Sequence, residues 1–442
     1  MLGKNLINSI LTQIPVFIIG FISGILSTRI LGEEGKGVFT LFQANYQLFL
    51  LVFSFGIQTG IVYFISGKKI AEEIIAGLSI FIFLFSSTLL LLLLLIVHAV
   101  GADEYILTSG YTSYNYLVIL FLLYFVTFFN NIIASFFQAH SKFKTINFIS
   151  ISNSIINAFL FLILYLILRY YTIETSEKIN LVLYITLFSL VINSSLWFYF
   201  QKREINIKPS FNFKLSAYLK TFFSYNILIY IGMFVNFFNY RLDLWIVNHY
   251  LSKNDLSYYS LAANINQIIL YIAVTIGSVM LPNLSGKENT KRIETFIRIS
   301  RISFSFFTLL TLFAFVVSPF IIPLMYGIGF KNTVSPFQIL LPGILFSCIT
   351  QLFSIYIVSI NKNIFNIIAC SVGLIFTLYF DILLIPIWGI NGAAIATCLS
   401  YFAIFLITYI FVYKQINKAS FNLFIPLKSD IFFIKNLILK KT

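Results

Sequence analysis

Residues 74–99, IIAGLSIFIFLFSSTLLLLLLLIVHA, contain no Lys, Arg, Asp or Glu. A helix of about 20 apolar residues crosses the hydrocarbon core of a bilayer, and only helices and closed barrels satisfy their own backbone there. Stretches of this kind recur along the whole chain, and the rule divides it into about twelve spans. The first six lie near 8–27, 38–65, 74–99, 114–137, 146–168 and 180–200, and the other six near 217–247, 257–282, 300–325, 335–360, 364–386 and 391–413. Short polar, Gly- or Pro-bearing links such as LGEEGKG, SGKK, AHSKFK and PIWGING separate them. The first stretch runs past the length of a signal peptide and lacks a clear cleavage site, so it reads as a retained first span.

Composition agrees with this reading. Hydrophobic residues make up 59% of the chain and charged residues 10%, where a soluble domain carries about 45–50% and about 25%. The expected fold is all-α and polytopic. Positive charge checks the span count independently. With the N-terminus in the cytoplasm, 22 of the 29 Lys and Arg fall on inside segments, including Lys68, Lys69, Lys142, Lys144 and the basic tail after Lys414. Only Arg29, Lys36, Arg169, Lys178, Arg241, Lys253 and Lys331 fall outside. A miscount by one span would scramble that asymmetry, which is the positive-inside pattern for an even number of spans with both termini cytoplasmic. Topology thus accounts for most of the basic pI of about 9.5, with attraction to anionic membrane lipids second and nucleic acid not required.

Several functions are excluded by what the links lack. Cys348, Cys370 and Cys398 form no CxxC, and His98, His140 and His249 are too scattered to bind a metal. No cofactor is implied and no catalytic residue is assigned. No phosphate-cradling GxxxxGK[ST] occurs, which removes a built-in ATPase. Links are too short to carry the external domain of a membrane glycosyltransferase or polysaccharide polymerase. Transport driven by an existing gradient remains.

The most basic link, QKREINIKPSFNFK (201–214), separates six spans from six. The division expected is a first lobe at 1–208, a second at 209–414 and a basic interfacial tail at 415–442. TRILGEEGKGVFTLFQAN (28–45) overlays NHYLSKNDLSYYSLAANI (248–265), with Leu31 on Leu251 and Leu41 on Leu261. Each joins the end of a lobe's first span to the start of its second. Repeated lobes are a transporter signature.

Ionisable groups at membrane depth are expensive and mark functional positions. FVNFFNYRLDLWIV (234–247) supplies the best case. Gly232, Asn236, Asn239 and Asp243 recur at i, i+4, i+7 and i+11, on one helical face. Asp243 has two readings, a buried interhelical hydrogen bond or ion pair and a role in transport. Arg241 projects elsewhere, and its long stem suits snorkelling to the external headgroups. In the first span Ser9, Gln13, Gly20, Gly24 and Ser27 form a stripe that either packs closely or lines a hydrated path. Gln43, Asn45, Gln58, Asn130, Asn131, Asn264, Asn266 and Gln267 offer amides that suit hydroxyl-rich ligands, or helix–helix bonds. Asp381, just before IPIWG, reads as an interfacial residue.

STRILGEEGKGVFTLF (27–42), YRLDLWIV, LSYYSLAANI (256–265) and IPIWGINGAAIATCLSYF (385–402) together resemble the Wzx-type O-antigen and capsule flippases of the multidrug/oligosaccharidyl-lipid/polysaccharide exporter superfamily. The resemblance covers essentially the whole chain. It implies two pseudo-repeated six-helix lobes around a central cavity lined by spans one and seven. It also implies passage of an undecaprenyl-diphosphate-linked oligosaccharide from the inner to the outer leaflet of the bacterial cytoplasmic membrane by alternating access. A polysaccharide polymerase and a chain-length regulator follow as partners. The cavity of such a flippase is cationic, with Arg29 and Arg241 as candidates here and Arg298 and Arg301 at the inner mouth. Alternatives within the superfamily are a cation-coupled multidrug exporter, which commonly carries an acid in its first span where this chain has none, and a lipid II flippase, which has two further spans.

Overall fold

The computed structural model describes residues 2–107, 110–211, 215–285 and 289–416, with Leu423, Phe424, Leu427 and Asp430 beyond them. The side chains of 2–14, of Tyr105 and of some residues within 212–228 and 279–289 lie outside the description. The described residues form eleven helices and no strand: α1 (Leu2–Ser54), α2 (Ile57–Ser66), α3 (Glu72–Ala99), α4 (Tyr114–Ala139), α5 (Phe143–Ile167), α6 (Thr175–Glu204), α7 (Leu215–Tyr250), α8 (Lys253–Ser285), α9 (Asn289–Tyr326), α10 (Val334–Ser359) and α11 (Ile364–Ile416). Nine helices among the described residues are long and apolar enough to cross a membrane. The protein is a multi-pass membrane protein.

Two of the expected links are each made at a single glycine. LGEEGKG falls within α1 and PIWGING within α11, and each of these ranges is two helices joined across the break. At each place one residue alone leaves helical geometry, Gly32 (φ 67, ψ −167) and Gly389 (φ 58, ψ −139). An L-residue with a side chain pays about 1–2 kcal/mol for a left-handed φ, and glycine avoids that penalty. Divided at these glycines, α1 and α11 each supply two segments of crossing length, and α7, 36 residues long, supplies another. Span two is itself interrupted at Phe55 and Gly56, both with positive φ, before α2 resumes. Helix α9 starts at Asn289, well before its apolar run, because its basic first turns extend the helix beyond the greasy segment.

The chain forms two compact units, Met1–Phe234 and Val235–Thr442, and the division falls inside α7. In the first unit α4 is the central helix, packed on α2, α3 and α6. Tyr124 and Phe128 of α4 are fully buried beside Phe83, Ile57 and Leu90. Polar ties gather at the two ends of this bundle. One end holds His140–Glu72 (3.1 Å), Thr145–Glu204 (3.0 Å), Lys142–Glu204 (3.7 Å) and the Ser210 amide on the Glu73 carbonyl (2.9 Å). Another set joins His98 to Asp103 (2.9 Å), the Tyr111 hydroxyl to Glu34 (3.4 Å) and Asn45 to the Ile106 carbonyl. Alternate links therefore meet one another, as an up-and-down bundle requires.

In the second unit α10 is the central helix, packed on α8, α9 and α11. Half of the apolar window of α4 and 56% of that containing α10 is buried, against 17–39% in the other crossing helices. The fourth span of each six is thus the buried one, a repeat visible in packing. Outward faces invert the soluble pattern: Leu309, Phe313, Val316, Phe320 and Leu324 of α9 are exposed, as a lipid-facing stripe is.

Candidate functional site

The second unit buries a polar cluster where α7, α8 and α11 meet. Asn239, Asp243 and Val247 recur every fourth residue of α7 and share its buried face. The Asn239 amide donates to the Cys370 carbonyl of α11 at 2.6 Å. Asp243 Oδ1 accepts the Leu244 backbone N–H at 2.9 Å, and its Oδ2 accepts the hydroxyl of Tyr259 from α8. That hydroxyl also lies 2.9 Å from Thr397 Oγ1 of α11. With Asp243 ionised, Thr397 donates to Tyr259 and Tyr259 to the carboxylate. With Asp243 protonated, every bond in the chain reverses by rotation of hydroxyls. The network is therefore complete in either protonation state.

Asp381 of α11 completes the cluster and changes its character. It is fully buried, and among the described residues neither of its carboxyl oxygens has a hydrogen-bond partner. Thr377, one turn earlier, has an equally unpartnered hydroxyl, and so has the Asn239 carbonyl oxygen. The Asp381 charge acts on Tyr259, and that of Asp243 on Asp381. Two buried acids within electrostatic reach of each other, one with no donor, need a proton or a cation between them. Arg241 is half-buried and its charge reaches Asp243, but it forms no ion pair with it among the described residues.

The expected site residues divide as follows. Asn239 and Asp243 come together, whereas Asn236 on the same helix is exposed. Arg29, exposed, and Gln43, half-buried, belong to the first unit, and the Gln13 side chain lies outside the described residues. Asp381, shortly before the Gly389 break, is buried and not exposed. Tyr259 and Thr397 were not expected, although Tyr259 lies within LSYYSLAANI. Several amides tie helices instead of facing a ligand: Asn130 to the Leu190 carbonyl (3.4 Å), and Asn266 to the Phe337 carbonyl (3.2 Å).

A second charged cluster lies at the start of α9. Asp430 of the tail is buried and accepts from Arg301 Nε at 2.8 Å and Nη2 at 3.0 Å, and from the Leu427 amide at 2.9 Å. Arg298 Nε stands 4.0 Å away. Phe424 packs against Phe304 of α9 and Phe405 and Tyr409 of α11. The described residues of the tail thus pack on the second unit. No group of three or more His, Cys, Asp or Glu disposed for a metal occurs among the described residues.

Comparison with known proteins places this architecture. The chain is similar to an uncharacterized membrane protein of Methanocaldococcus jannaschii, 23% identical over 319 residues, covering 70% of this chain and 61% of that protein. The match therefore spans less than two thirds of that relative. Among solved structures it is similar to the lipid II flippase MurJ in an inward closed conformation (TM-score 0.69, 19% identity, 94% of this chain and 90% of that one). A multidrug resistance MATE family transporter of the MOP superfamily, inward-facing, superposes with TM-score 0.67 at 14% identity over 90% of this chain and 94% of that one. At these identities the likeness establishes the fold, which is one used by membrane transporters. The profile of the family described as polysaccharide biosynthesis protein matches residues 2–287, and the chain belongs to that family.

Proposed function

We propose that the protein is a flippase that carries an undecaprenyl-diphosphate-linked oligosaccharide from the inner to the outer leaflet of the bacterial cytoplasmic membrane by alternating access, with both termini in the cytoplasm. The lipid-linked saccharide is supported by membership of a polysaccharide biosynthesis family and by the fold shared with a lipid II flippase. The observation that carries a transport reading is the buried Asp243–Tyr259–Thr397 network beside the unpartnered Asp381. An acid without donors inside a membrane-spanning body weakens folding, and function is the usual reason such a group persists. Uptake and release of a proton or monovalent cation at the two acids would couple a gradient to the cycle. Asp243 supplies the acceptor whose hydrogen bonds reverse, and Asp381 supplies the open oxygens. A polysaccharide polymerase and chain-length regulator would act on the delivered units.

Complementation of a flippase-deficient strain tests the reading. Expression of the protein is expected to restore surface polysaccharide and clear lipid-linked repeat units from the inner leaflet. Asp243→Ala is expected to abolish rescue at normal membrane levels. Failure to restore polysaccharide with any of several defined repeat units would defeat the assignment. A multidrug exporter is the second reading, favoured by the MATE-like fold and the acid pair. Drug resistance conferred without polysaccharide rescue would select it.

A further inference from the structure

Helix α9 carries two prolines four residues apart, Pro319 and Pro323. Proline has no backbone N–H, so Pro319 offers no donor to the Phe315 carbonyl and Pro323 none to the Pro319 carbonyl. At membrane depth such freed carbonyls need a donor from elsewhere. Gln338 of α10 serves the first, donating from Nε2 to the Phe315 carbonyl at 3.0 Å and to Ser318 Oγ at 3.2 Å. A carbonyl only accepts, so this bond fixes the orientation of the amide and leaves Gln338 Oε1 as an open acceptor. Gln338 and Pro319 both line a cavity of about 430 Å³ formed by α9, the start of α10 and the part of α11 just past Gly389. That volume lies in the range of small-ligand sites.

The remaining walls supply donors. Asn391 accepts from the Ser335 hydroxyl at 2.9 Å, which leaves the N–H groups of its amide open. Lys331 and Asn332 also line the cavity and are exposed, and neither side chain has an ion pair or hydrogen bond among the described residues. A cation, amide donors and open acceptors in one cavity fit a ligand that carries both anionic oxygens and hydroxyls. The surroundings are apolar. Phe320, beside Pro319, belongs to the lipid-facing stripe of α9, and Ile328, Ile387 and Trp388, each a few residues from a lining position, are more than half exposed. Exposed apolar side chains at the ends of crossing helices lie against lipid, and Trp concentrates at headgroup level. A polar cavity set among them opens where headgroups are.

We infer that this cavity binds the headgroup of an anionic phospholipid carrying free hydroxyls, of which phosphatidylglycerol is the simplest. Lys331 and the Asn391 amide take the phosphate oxygens. Gln338 Oε1 and the Pro319 carbonyl accept from the hydroxyls, and an acyl chain lies along the α9 stripe. The inference stands apart from the flippase reading, since it concerns a lipid that stays bound to the second unit and not a cargo.

Native mass spectrometry of the full-length protein in a nonionic detergent, titrated with single phospholipids, tests it. The first phosphatidylglycerol is expected to bind several-fold more tightly than phosphatidylethanolamine, and also more tightly than phosphatidylmethanol, which has the same charge and no hydroxyl. Lys331→Gln is expected to weaken phosphatidylglycerol about fivefold, the worth of one Lys beside an anionic headgroup. Arg169→Gln, which removes an exposed charge from the first unit, is expected to leave binding unchanged. Ser335→Trp, which fills the cavity mouth from an exposed position, is expected to erase the preference among the three lipids. Equal affinity for phosphatidylglycerol and phosphatidylmethanol in the wild type would overturn the assignment. So would equal losses in Lys331→Gln and Arg169→Gln, which would reflect general surface charge. Binding of soluble glycerol 1-phosphate with no preference among the lipids would make this a site for a solute and overturn the lipid assignment as well. None of these measurements involves transport, so their failure and that of the complementation experiment are separate outcomes.

Discussion

Two aspartates of the second unit are equally hidden and oppositely served. Asp430 is 1% exposed and receives three hydrogen bonds, two from a guanidinium and one from a backbone amide. Asp381 is 0% exposed and receives none among the described residues. Burial is therefore not what separates a structural acid from a functional one. The separation lies in whether the fold itself supplies the donors. Where it does, the carboxylate is a clamp. Where it does not, the group remains open to a partner that comes and goes, and Asp243, whose hydrogen bonds can reverse, lies between these extremes.

The sharpest way to break this contrast is to remove the donors of the clamp. Taking away one partner of a buried ion pair costs about 3–5 kcal/mol, because the other charge is stranded. Arg301→Ala is accordingly expected to free Asp430, with the Leu427 amide, which donates to it, exchanging as fast as in a free peptide of the same sequence. Unchanged protection would show that Phe424 holds the tail and that Asp430 is incidental. Acid acts on the same contact more gently. A carboxyl held below its ordinary value of 3.8 contributes stability that is fully present above that value and is lost as pH falls through the lower folded value. Protection of the Leu427 amide, which donates to Asp430, is expected to stay constant from neutral pH down to about pH 5 and to fail only well into acid. Loss at mildly acidic pH would place another titrating group in control.

A smaller effect is expected within the acid cluster. Tyr259→Phe removes the hydroxyl that serves both Asp243 and Thr397. A buried acceptor left without its donor costs about 1–3 kcal/mol, readable as a lower unfolding midpoint in detergent. Asp243→Asn in the same background should recover part of that loss, since the amide brings its own donors. Purely additive losses would mean that the two side chains do not act as a pair.

Much of the scaffold was legible in the sequence because hydropathy is strong and local. Helix α3 follows from an uncharged run alone, and α10 (Val334–Ser359) nearly coincides with the expected 335–360. The links LGEEGKG and PIWGING are breaks between helices, as expected, each made at a single glycine, Gly32 and Gly389. Asp381 stands shortly before one of these breaks, and its burial against other helices leaves no mark in the local pattern. Asp243 was visible because a carboxylate stands out among Phe, Leu and Trp. Tyr259 and Thr397 were not, because such residues are common in apolar helices and their contacts join positions 16 and 138 apart. No local period records a meeting between separate helices.

The smallest expected change in stability is the most informative. Asn has nearly the shape of Asp and no charge, so Asp381→Asn puts a neutral group where an acid has no donors. Folding stability is expected to stay within about 0.5 kcal/mol of wild type or to rise, since removing a buried unsatisfied charge relieves the fold. Polysaccharide rescue in the flippase-deficient strain is expected to fall sharply in the same variant. That pairing is the signature of a residue kept for what it binds and not for what it holds together. A large loss of stability would instead mean that Asp381 has a structural partner, and the contrast with Asp430 would disappear. Unchanged stability with unchanged rescue would confine the coupling role to Asp243, whose network is complete without a second acid.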